Sequence, residues 1–314
     1  MFIKSFKFYK SKTTEPDFSE VLDFQDPNEK FVDKKRIEVK GNESYFSLIS
    51  PKEWQCYEIK DRPGLIFIRN PFTPSGQRFW ISRCLKDYPK SPNVVNLNPK
   101  QFSKEAINDW WNCFQTEKND CERKRLKVSM RWTTLGYHHD WDTKVYSENM
   151  KNKFPQDLAD LTKFFATTLG FENYSAEAAI VNYYPIGTTL AGHTDHSEAN
   201  LDAPLFSFSF GQKAIFLLGG QSKDEKPSAM FLKSGDVVVM SKSSRLCYHA
   251  VPRVMSCELE PYNNFNSNEP EEKKCKIVND CDDENFWTPF RHYLKDSRIN
   301  INIRQVLNKG QLEL

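Results

Sequence analysis

Three features that would define a protein class at once are absent from this sequence: a long apolar run, a paired-cysteine motif and a large excess of one charge. Without a run of 18 or more apolar residues, a membrane-spanning helix is excluded. The eight cysteines contain no Cys-x-x-Cys pair, and the first residues show no secretory signal pattern. We therefore expect reduced thiols in an intracellular compartment, rather than a disulfide framework or a zinc site.

The charge balance limits how the protein can bind a polyanion such as nucleic acid. Lys and Arg number 44 and Asp and Glu 42, which leaves a formal net charge of +2. Contact with nucleic acid would therefore need a local basic patch, not a field of the whole molecule. Apolar residues are plentiful, and a chain of 314 residues with 39% hydrophobic content can build a substantial core.

The first twelve residues, MFIKSFKFYKSK, carry four lysines and no acid, with Phe2, Phe6 and Tyr9 near helical spacing. Two interpretations fit such a segment: a mitochondrial targeting helix, or a helix that docks on the domain. We favour docking, because targeting helices are usually richer in Arg than in Lys.

Two kinds of pattern divide the chain near residue 176. Before it, helical patterns at 77–88 and 104–114 accompany one buried-strand candidate, GLIFI. After it, short β-branched and aromatic stretches alternate with turn residues, and LFSFSF shows a clear period of two. The strand candidates are AAIVNYY, LFSFSF, KAIFLLG, SAMFLK, DVVVMS, YHAVPRV and RININIRQV. This series predicts an α+β protein, mainly β, with a two-sheet jelly-roll core. The polar stretch at about 256–285 is predicted to be a partly disordered surface insertion.

The stretch GHTDHSE contains the motif His193-x-Asp195. In extended backbone these two side chains point to the same side, so one ion can take both as ligands. Iron(II) oxygenase sites use two imidazoles and one carboxylate on one face of an octahedron. The match is weak by itself, because two polar residues in a loop are the ordinary alternative.

A second imidazole must come from a distant segment, and the chain has only six histidines. His249 lies in the strand candidate YHAVPRV, and a hydrogen-bonded core histidine is its ordinary alternative. His292 lies in the predicted helix FRHYLK and is the weaker candidate.

The stretch RININIR places Arg298, Asn300, Asn302 and Arg304 on one face of a strand. That face is either solvated or directed into the barrel. Since Arg binds carboxylates bidentately, an inward face would suit the distal carboxylate of 2-oxoglutarate.

Several motifs follow one another along the chain: N-x-Y, H-x-D, SFSFG, AIFLLGG, GDVVVM, SRLxxHA and RxNxNxR, with FKFYK, GLIFIRNPF, SPNVVNLN and RWTTLGYHHDWDTKVY upstream. Taken in order, they resemble the AlkB family of iron(II)- and 2-oxoglutarate-dependent dioxygenases, and most of all the mitochondrial and nuclear branch of the first animal homologue. The likeness spans nearly the whole chain. It implies an N-terminal helical and mixed extension at 1–130, a nucleotide-recognition lid with a supporting helix at 131–175, and a double-stranded β-helix core at 176–314.

The resemblance also assigns roles. It implies that Fe(II) is held by His193, Asp195 and His249, and that dioxygen is the second cosubstrate. It implies that 2-oxoglutarate is held by Asn182, Tyr184, Arg298, Asn300 and Arg304, with Arg298 at the distal carboxylate and Arg304 at the iron end.

The sequence departs from the family pattern at two positions. Asn302 stands where the family usually has Thr, a small polar exchange that should leave cosubstrate binding intact. Ser197 stands where bacterial AlkB has an acid that helps to read the base, which puts the bacterial substrate preference in doubt.

Substrate contacts are predicted on both sides of residue 130. Trp132 and Tyr137 lie in the lid stretch that grips the substrate base in AlkB relatives, unless they only pack the lid onto the barrel. A basic patch just upstream is suited to phosphate contacts, the alternative being a solvated face. It comprises Arg123, Lys124, Arg125 and Lys127.

The resemblance implies an enzyme that demethylates N1-methyladenosine in tRNA, oxidises 5-methylcytosine, or demethylates N6-methyladenine in DNA. The alternatives are an oxygenase acting on a protein such as a histone, and a binding module with an inactive site, against which the intact motif argues. We expect a monomer whose partner is tRNA or DNA, with no membrane contact. Mitochondria, the nucleus or both are the expected compartments, with some cytoplasmic protein.

Overall fold

The computed structural model of this chain describes residues 1–38, 44–257, 262 and 281–314. Most of the predicted insertion at 256–285 lies outside these residues. The helices are α1 (Phe2–Lys10), α2 (Pro74–Ser82), α3 (Lys104–Asn108), α4 (Trp110–Thr116), α5 (Asp120–Ser129), α6 (Gln156–Thr168) and α7 (Glu284–Leu294). No helix in these ranges is both long and apolar enough to cross a membrane.

The strands form two antiparallel sheets. They are β1 (Val32–Lys34), β2 (Gln55–Ile59), β3 (Leu65–Arg69), β4 (Val94–Val95), β5 (Trp132–Gly136), β6 (Ala178–Pro185), β7 (Leu190–His193), β8 (Leu205–Gly211), β9 (Lys213–Leu218), β10 (Ser228–Leu232), β11 (Val237–Met240), β12 (His249–Met255) and β13 (Ser297–Arg304). The large sheet has the order β1-β2-β3-β11-β8-β13-β6-β5-β4, and the small sheet the order β10-β9-β12-β7. All seven strand candidates after residue 176 are strands, and GLIFI supplies β3.

One apolar cluster lies between the two sheets and joins residues such as Tyr184 and Leu205 of the large sheet to Phe216 and Val251 of the small sheet. Two facing sheets that share one interior are the predicted jelly roll. The N-terminal segment 55–69 takes part directly, since β3 pairs with β11 in the large sheet.

A second and larger cluster covers the outer face of the large sheet. Phe206, Phe208 and Phe210 of β8 pack there with Ile299, Ile301 and Ile303 of β13 and with apolar residues of the helices. The period of two then turns Ser207 and Ser209 of β8 into the interior. The interior of the barrel is therefore the more polar side of these strands, which suits a binding site.

Local signals explain where the helices begin. The Thr73 side chain accepts a hydrogen bond from the Gly76 N–H, with Pro74 at the first position of α2. The helix predicted at 104–114 divides at Asp109, whose φ is −150° and whose side chain caps α4 by accepting from the Asn112 N–H. α2 continues into a π-helical turn over Arg83–Asp87.

Helix α1 docks on the outer face of the small sheet. Phe2 and Tyr9 are buried there with Ile215, Leu217 and Ala250. A Cβ on Gly192 would lie 2.6 Å from the Phe2 ring and a Cβ on Gly219 2.7 Å, so both glycines are needed for this close approach. The docking helix that we favoured is what the structure contains.

Candidate metal and cosubstrate site

The end of β7 and the start of β12 bring three predicted ligands together. His193 pairs with His249 across the two strands, and their ring centroids are 4.3 Å apart. The His193 Nε2 lies 3.7 Å from Asp195 Oδ1, and the His249 Nε2 lies 3.8 Å from Asp195 Oδ2. The donor atoms of the three residues all lie within 4.8 Å of one another, the spacing of a metal site. His292 lies on α7 and is not part of this group.

Both imidazoles are oriented by the backbone. The His193 Nδ1 donates to the Ala191 carbonyl oxygen at 3.0 Å, and the His249 Nδ1 donates to the Cys247 carbonyl oxygen at 3.2 Å. Each Nε2 is thereby left as the lone-pair donor toward the metal position. Burial, together with the charge of His193, lowers the pKa of His249 to about 4, so this ring is neutral and able to ligate at neutral pH.

The Asp195 carboxylate is held ionised. Burial opposes ionisation, but the positive charge of Arg304 and its hydrogen bond keep the pKa of Asp195 well below its usual range. Arg304 Nη2 donates to Asp195 Oδ2 at 2.8 Å. Two imidazoles and one carboxylate form the donor set that Fe(II) takes in oxygenases, so the residues fit the expected metal.

Arg298 has the features of a carboxylate seat. It is 1% exposed, and its Nη2 donates to Ser209 Oγ at 2.9 Å. Its Nε and Nη1 are buried and have no hydrogen-bond partner within the part of the chain that the structure describes. Burial lowers its pKa to about 10, which leaves the guanidinium charged at neutral pH. Buried N–H groups without partners are costly, so these groups fit a site that receives a carboxylate acceptor.

The other predicted 2-oxoglutarate residues lie on the same interior face. Tyr184 is opposite Arg298 and Asn182 is opposite Asn300 in the β6–β13 pairing. Asn300 Nδ2 donates to Ser207 Oγ at 2.8 Å. Burial raises the pKa of the Tyr184 hydroxyl. The Arg298 guanidinium lies 5.4 Å from the centroid of the Tyr184 ring, so the tyrosine borders the carboxylate seat.

Two buried residues that the sequence analysis missed support the ligands. Glu198 accepts from Arg245 Nη2 at 2.9 Å and pairs with Arg304 Nε at 3.2 Å. Arg245 Nη1 also donates to the backbone oxygen of Asp195 at 2.7 Å. The signal was present, because Glu198 ends GHTDHSE and Arg245 lies in SRLCYHA. Sequence alone did not show that these charges are buried and paired.

Removing Arg245 should destabilise the protein and weaken metal binding. Arg245→Met leaves the Glu198 carboxylate with one fewer cation in a buried site, which should lower the free energy of unfolding by about 3–5 kcal/mol. Chemical denaturation measures this loss. Calorimetric titration with Co(II) should show affinity lower by about 10–100-fold, the effect of losing a residue that supports a ligand.

The double variant Arg245→Met/Glu198→Leu is the control, since it removes both charges together. It should recover part of the lost stability while Arg304 still neutralises Asp195. A loss below about 1 kcal/mol for Arg245→Met, as in an exposed ion pair, would contradict the supporting role.

The predicted lid residues differ in their placement. Trp132 lies opposite Asn182 in the β5–β6 pairing, so it shares the interior face. Its ring is 5.3 Å from Trp141, which is 41% exposed and itself 4.8 Å from the His139 ring. The three rings form a continuous row, and His139 joins it to the ligand segment, because His139 Nε2 is 3.1 Å from Ser197 Oγ, two residues after Asp195.

Tyr137 is placed differently from Trp132. It is 1% exposed, packs against Tyr146, and donates its hydroxyl hydrogen to Glu148 while accepting from Lys151 Nζ at 2.8 Å. The structure therefore gives Tyr137 the packing role that was the alternative to base contact.

The basic patch lies on α5, and most of its charges have acidic partners. Arg123 pairs with Asp120, and Arg125 pairs with Glu122 at 3.0 Å. Lys127 points elsewhere and pairs with Asp296. Lys124 is exposed. Since exposed ion pairs are weak, phosphate contact by this patch stays a prediction.

Seven of the eight cysteines lie in the described residues, and all seven are free thiols there.

Comparison with known proteins gives a family match and several relatives. The 2OG-Fe(II) oxygenase superfamily matches residues 64–304. The chain is 40% identical to the human nucleic acid dioxygenase ALKBH1 over 331 aligned positions, which cover 99% of this chain and 85% of the relative. It is 34% identical to the Arabidopsis thaliana DNA N(6)-methyladenine demethylase ALKBH1A, covering 79% of this chain and 76% of the relative. It is 35% identical to the Schizosaccharomyces pombe tRNA demethylase abh1, covering 79% and 83%.

Proposed function

Because this chain belongs to the 2OG-Fe(II) oxygenase superfamily, and within it to the AlkB family, we propose that it oxidises methyl groups on nucleic-acid bases. The proposal rests on one observation above all: three metal-ligating side chains lie in the same barrel as a buried arginine with two unused N–H groups. An inactive binding module has no need of either feature.

The chemistry of the substrate decides the product. Iron(II), with 2-oxoglutarate and dioxygen bound, supplies the hydroxylation of a C–H bond. A hydroxylated N-methyl group is a hemiaminal that loses formaldehyde, so the base is demethylated. A hydroxylated C5-methyl group of cytosine has no such exit and persists. One site can therefore serve N1-methyladenosine in tRNA, N6-methyladenine in DNA and 5-methylcytosine.

The side chains of this protein position the reactants. His193 and His249 are fixed by their Nδ1–H bonds to backbone carbonyls. Arg304 neutralises Asp195, and Arg298 offers its free N–H groups to the far carboxylate of the cosubstrate. The His193 side chain is 38% exposed while those of Asp195 and His249 are 12% and 8% exposed, so substrate approaches from the His193 side.

Two observations favour a nucleic acid as the substrate. The half-buried Trp132 and the exposed Trp141 offer aromatic faces beside the ligands, and a base taken out of its stack binds between such faces. The human, plant and yeast relatives are named for activity on nucleic acids. A protein substrate such as a histone is the alternative. We further propose that the protein acts as a monomer, in mitochondria, the nucleus or both.

Mass spectrometry of modified nucleosides tests the proposal directly. Methylated tRNA and DNA are incubated with the protein, Fe(II) and 2-oxoglutarate, and the loss of each methylated nucleoside is followed. We expect loss that requires 2-oxoglutarate and that His249→Ala abolishes. Turnover of 2-oxoglutarate stimulated by a histone peptide, but by neither nucleic acid, would transfer the proposal to a protein substrate.

Trp132 should contribute to binding of the base. Trp132→Ala removes a stacking face, which should cost about 1–3 kcal/mol of affinity for a methylated oligonucleotide. Trp132→Phe keeps an aromatic face and should lose less. Fluorescence anisotropy measures both variants. Equal affinity of Trp132→Ala and the parent would mean that this ring only packs against Trp141.

A further inference from the structure

A cavity of about 700 Å³ lies outside the metal site, between the segment after α1, the β6–β7 turn and β12. The turn contributes residues 186–189, and β12 contributes residues 252–255. The charged groups on the wall are Lys10, Lys12, Glu15, Arg131 and Arg253. Four cations therefore face one carboxylate, although the whole chain is nearly neutral.

Arg253 stabilises the wall of the cavity. Arg253 Nε donates to the Tyr9 carbonyl oxygen at 2.8 Å, and its Nη2 donates to the Ser11 carbonyl oxygen. These bonds hold the end of α1 against β12, and they fix the backbone from which Lys10 and Lys12 project. The lysines thus start from an anchored segment, which reduces the ordering cost of binding an anion.

The remaining three cations are not neutralised by the described parts of the chain. Within those ranges no carboxylate lies within 4.0 Å of the Lys10, Lys12 or Arg131 nitrogens, whereas Arg123, Arg125 and Lys127 each have such a partner. Within the described ranges this cavity therefore carries more unpaired basic groups than the basic patch of α5.

The cavity adjoins both parts of the proposed substrate site. Arg131 immediately precedes Trp132 on β5. Thr189, at the cavity wall, immediately precedes β7, the strand that ends at His193. Four residues of extended strand span about 13 Å, a distance that a few nucleotides bridge.

We propose that this cavity binds backbone phosphates of the nucleic acid whose base enters the iron site. The proposal rests on the proposed function and adds the surface of the protein that binds the nucleic-acid backbone. Phosphates bound by Lys and Arg release counterions, so the contact has a measurable salt dependence.

The test compares the triple variant Lys10→Gln/Lys12→Gln/Arg131→Gln with the parent. A fluorescently labelled single-stranded RNA oligonucleotide is titrated by anisotropy over a range of KCl concentrations. Loss of three phosphate contacts should flatten the slope of log K against log salt by about 2, at about 0.7 per contact on a single strand. The KM for a methylated oligonucleotide should rise in parallel.

Three controls keep the outcome specific. Lys52→Gln/Lys100→Gln/Lys163→Gln removes the same charge from exposed positions outside the cavity and should keep the parent slope. Lys10→Gln/Lys12→Gln, which leaves β5 untouched, should flatten the slope by about 1.4. Turnover of 2-oxoglutarate without nucleic acid reports whether each variant is folded.

The outcomes separate the two proposals. If the parent demethylates the oligonucleotide and both cavity variants keep its slope, the cavity proposal is overturned and the proposed function stands. If the parent turns over 2-oxoglutarate but neither binds nor demethylates nucleic acid, the proposed function fails and the cavity proposal fails with it.

Discussion

Each of the variants His193→Ala, Asp195→Ala and His249→Ala is expected to abolish oxidation of substrate while leaving the fold largely intact. Each removes one of three donors that lie within 4.8 Å of one another, and two donors hold Fe(II) poorly. The loss should exceed the 10–100-fold range that follows from removing a residue that only supports a ligand. Product formation and calorimetric titration with Co(II) measure activity and metal binding separately.

His292→Ala is the matched control for His249→Ala. It removes an imidazole from α7, away from the metal position, and should keep parental metal affinity. Retained activity in His249→Ala, together with loss in His292→Ala, would transfer the third ligand to the helix and contradict the geometry of β12.

The second large effect is expected for Arg298→Ala, which should raise the KM for 2-oxoglutarate sharply. The distal carboxylate would lose its cation in a closed pocket. Breaking such a buried pair costs about 2–5 kcal/mol, which corresponds to a factor of about 30 to several thousand. Kinetics at varied 2-oxoglutarate concentration measure it, and high cosubstrate should restore much of the kcat.

Arg298→Lys separates charge from geometry. It keeps a cation but loses the planar fork, so we expect an intermediate KM. If neither variant changes the KM, the carboxylate is seated elsewhere, and the two unused N–H groups of Arg298 need another explanation.

Much of the fold could be predicted because the signals are local. A period of two is a property of the backbone, so LFSFSF had to be a strand. The period of two did not show which face of this strand would pack against the helices. The phenylalanines pack outward against the helices, while Ser207 and Ser209 face the interior and bind Asn300 and Arg298. That choice depends on which layer covers the sheet, and this is decided by distant residues.

The site was predictable to the extent that its motifs resemble one oxygenase family. The His-x-Asp pair was weak evidence alone, and the order of motifs along the chain implied the three residues that the structure brings together. Glu198 and Arg245 could not be assigned this way, because most charges in any sequence are exposed, and only the fold shows a buried pair. Tyr137 could not be assigned either, because an aromatic residue in a lid is equally suited to stacking on a base and to packing against the protein.

The docking of α1 has a consequence for how this protein reaches its folded state. The Tyr9 carbonyl accepts from Arg253, 244 residues later in the chain, and Phe2 rests on glycines beside β7 and β9. During synthesis, therefore, the apolar side of α1 has no surface to bind until nearly all of the barrel has been made. Contacts between such distant segments form slowly, because a long loop must close first. We therefore expect α1 to be among the last elements to be buried, so that its apolar side needs protection from aggregation until the small sheet is complete.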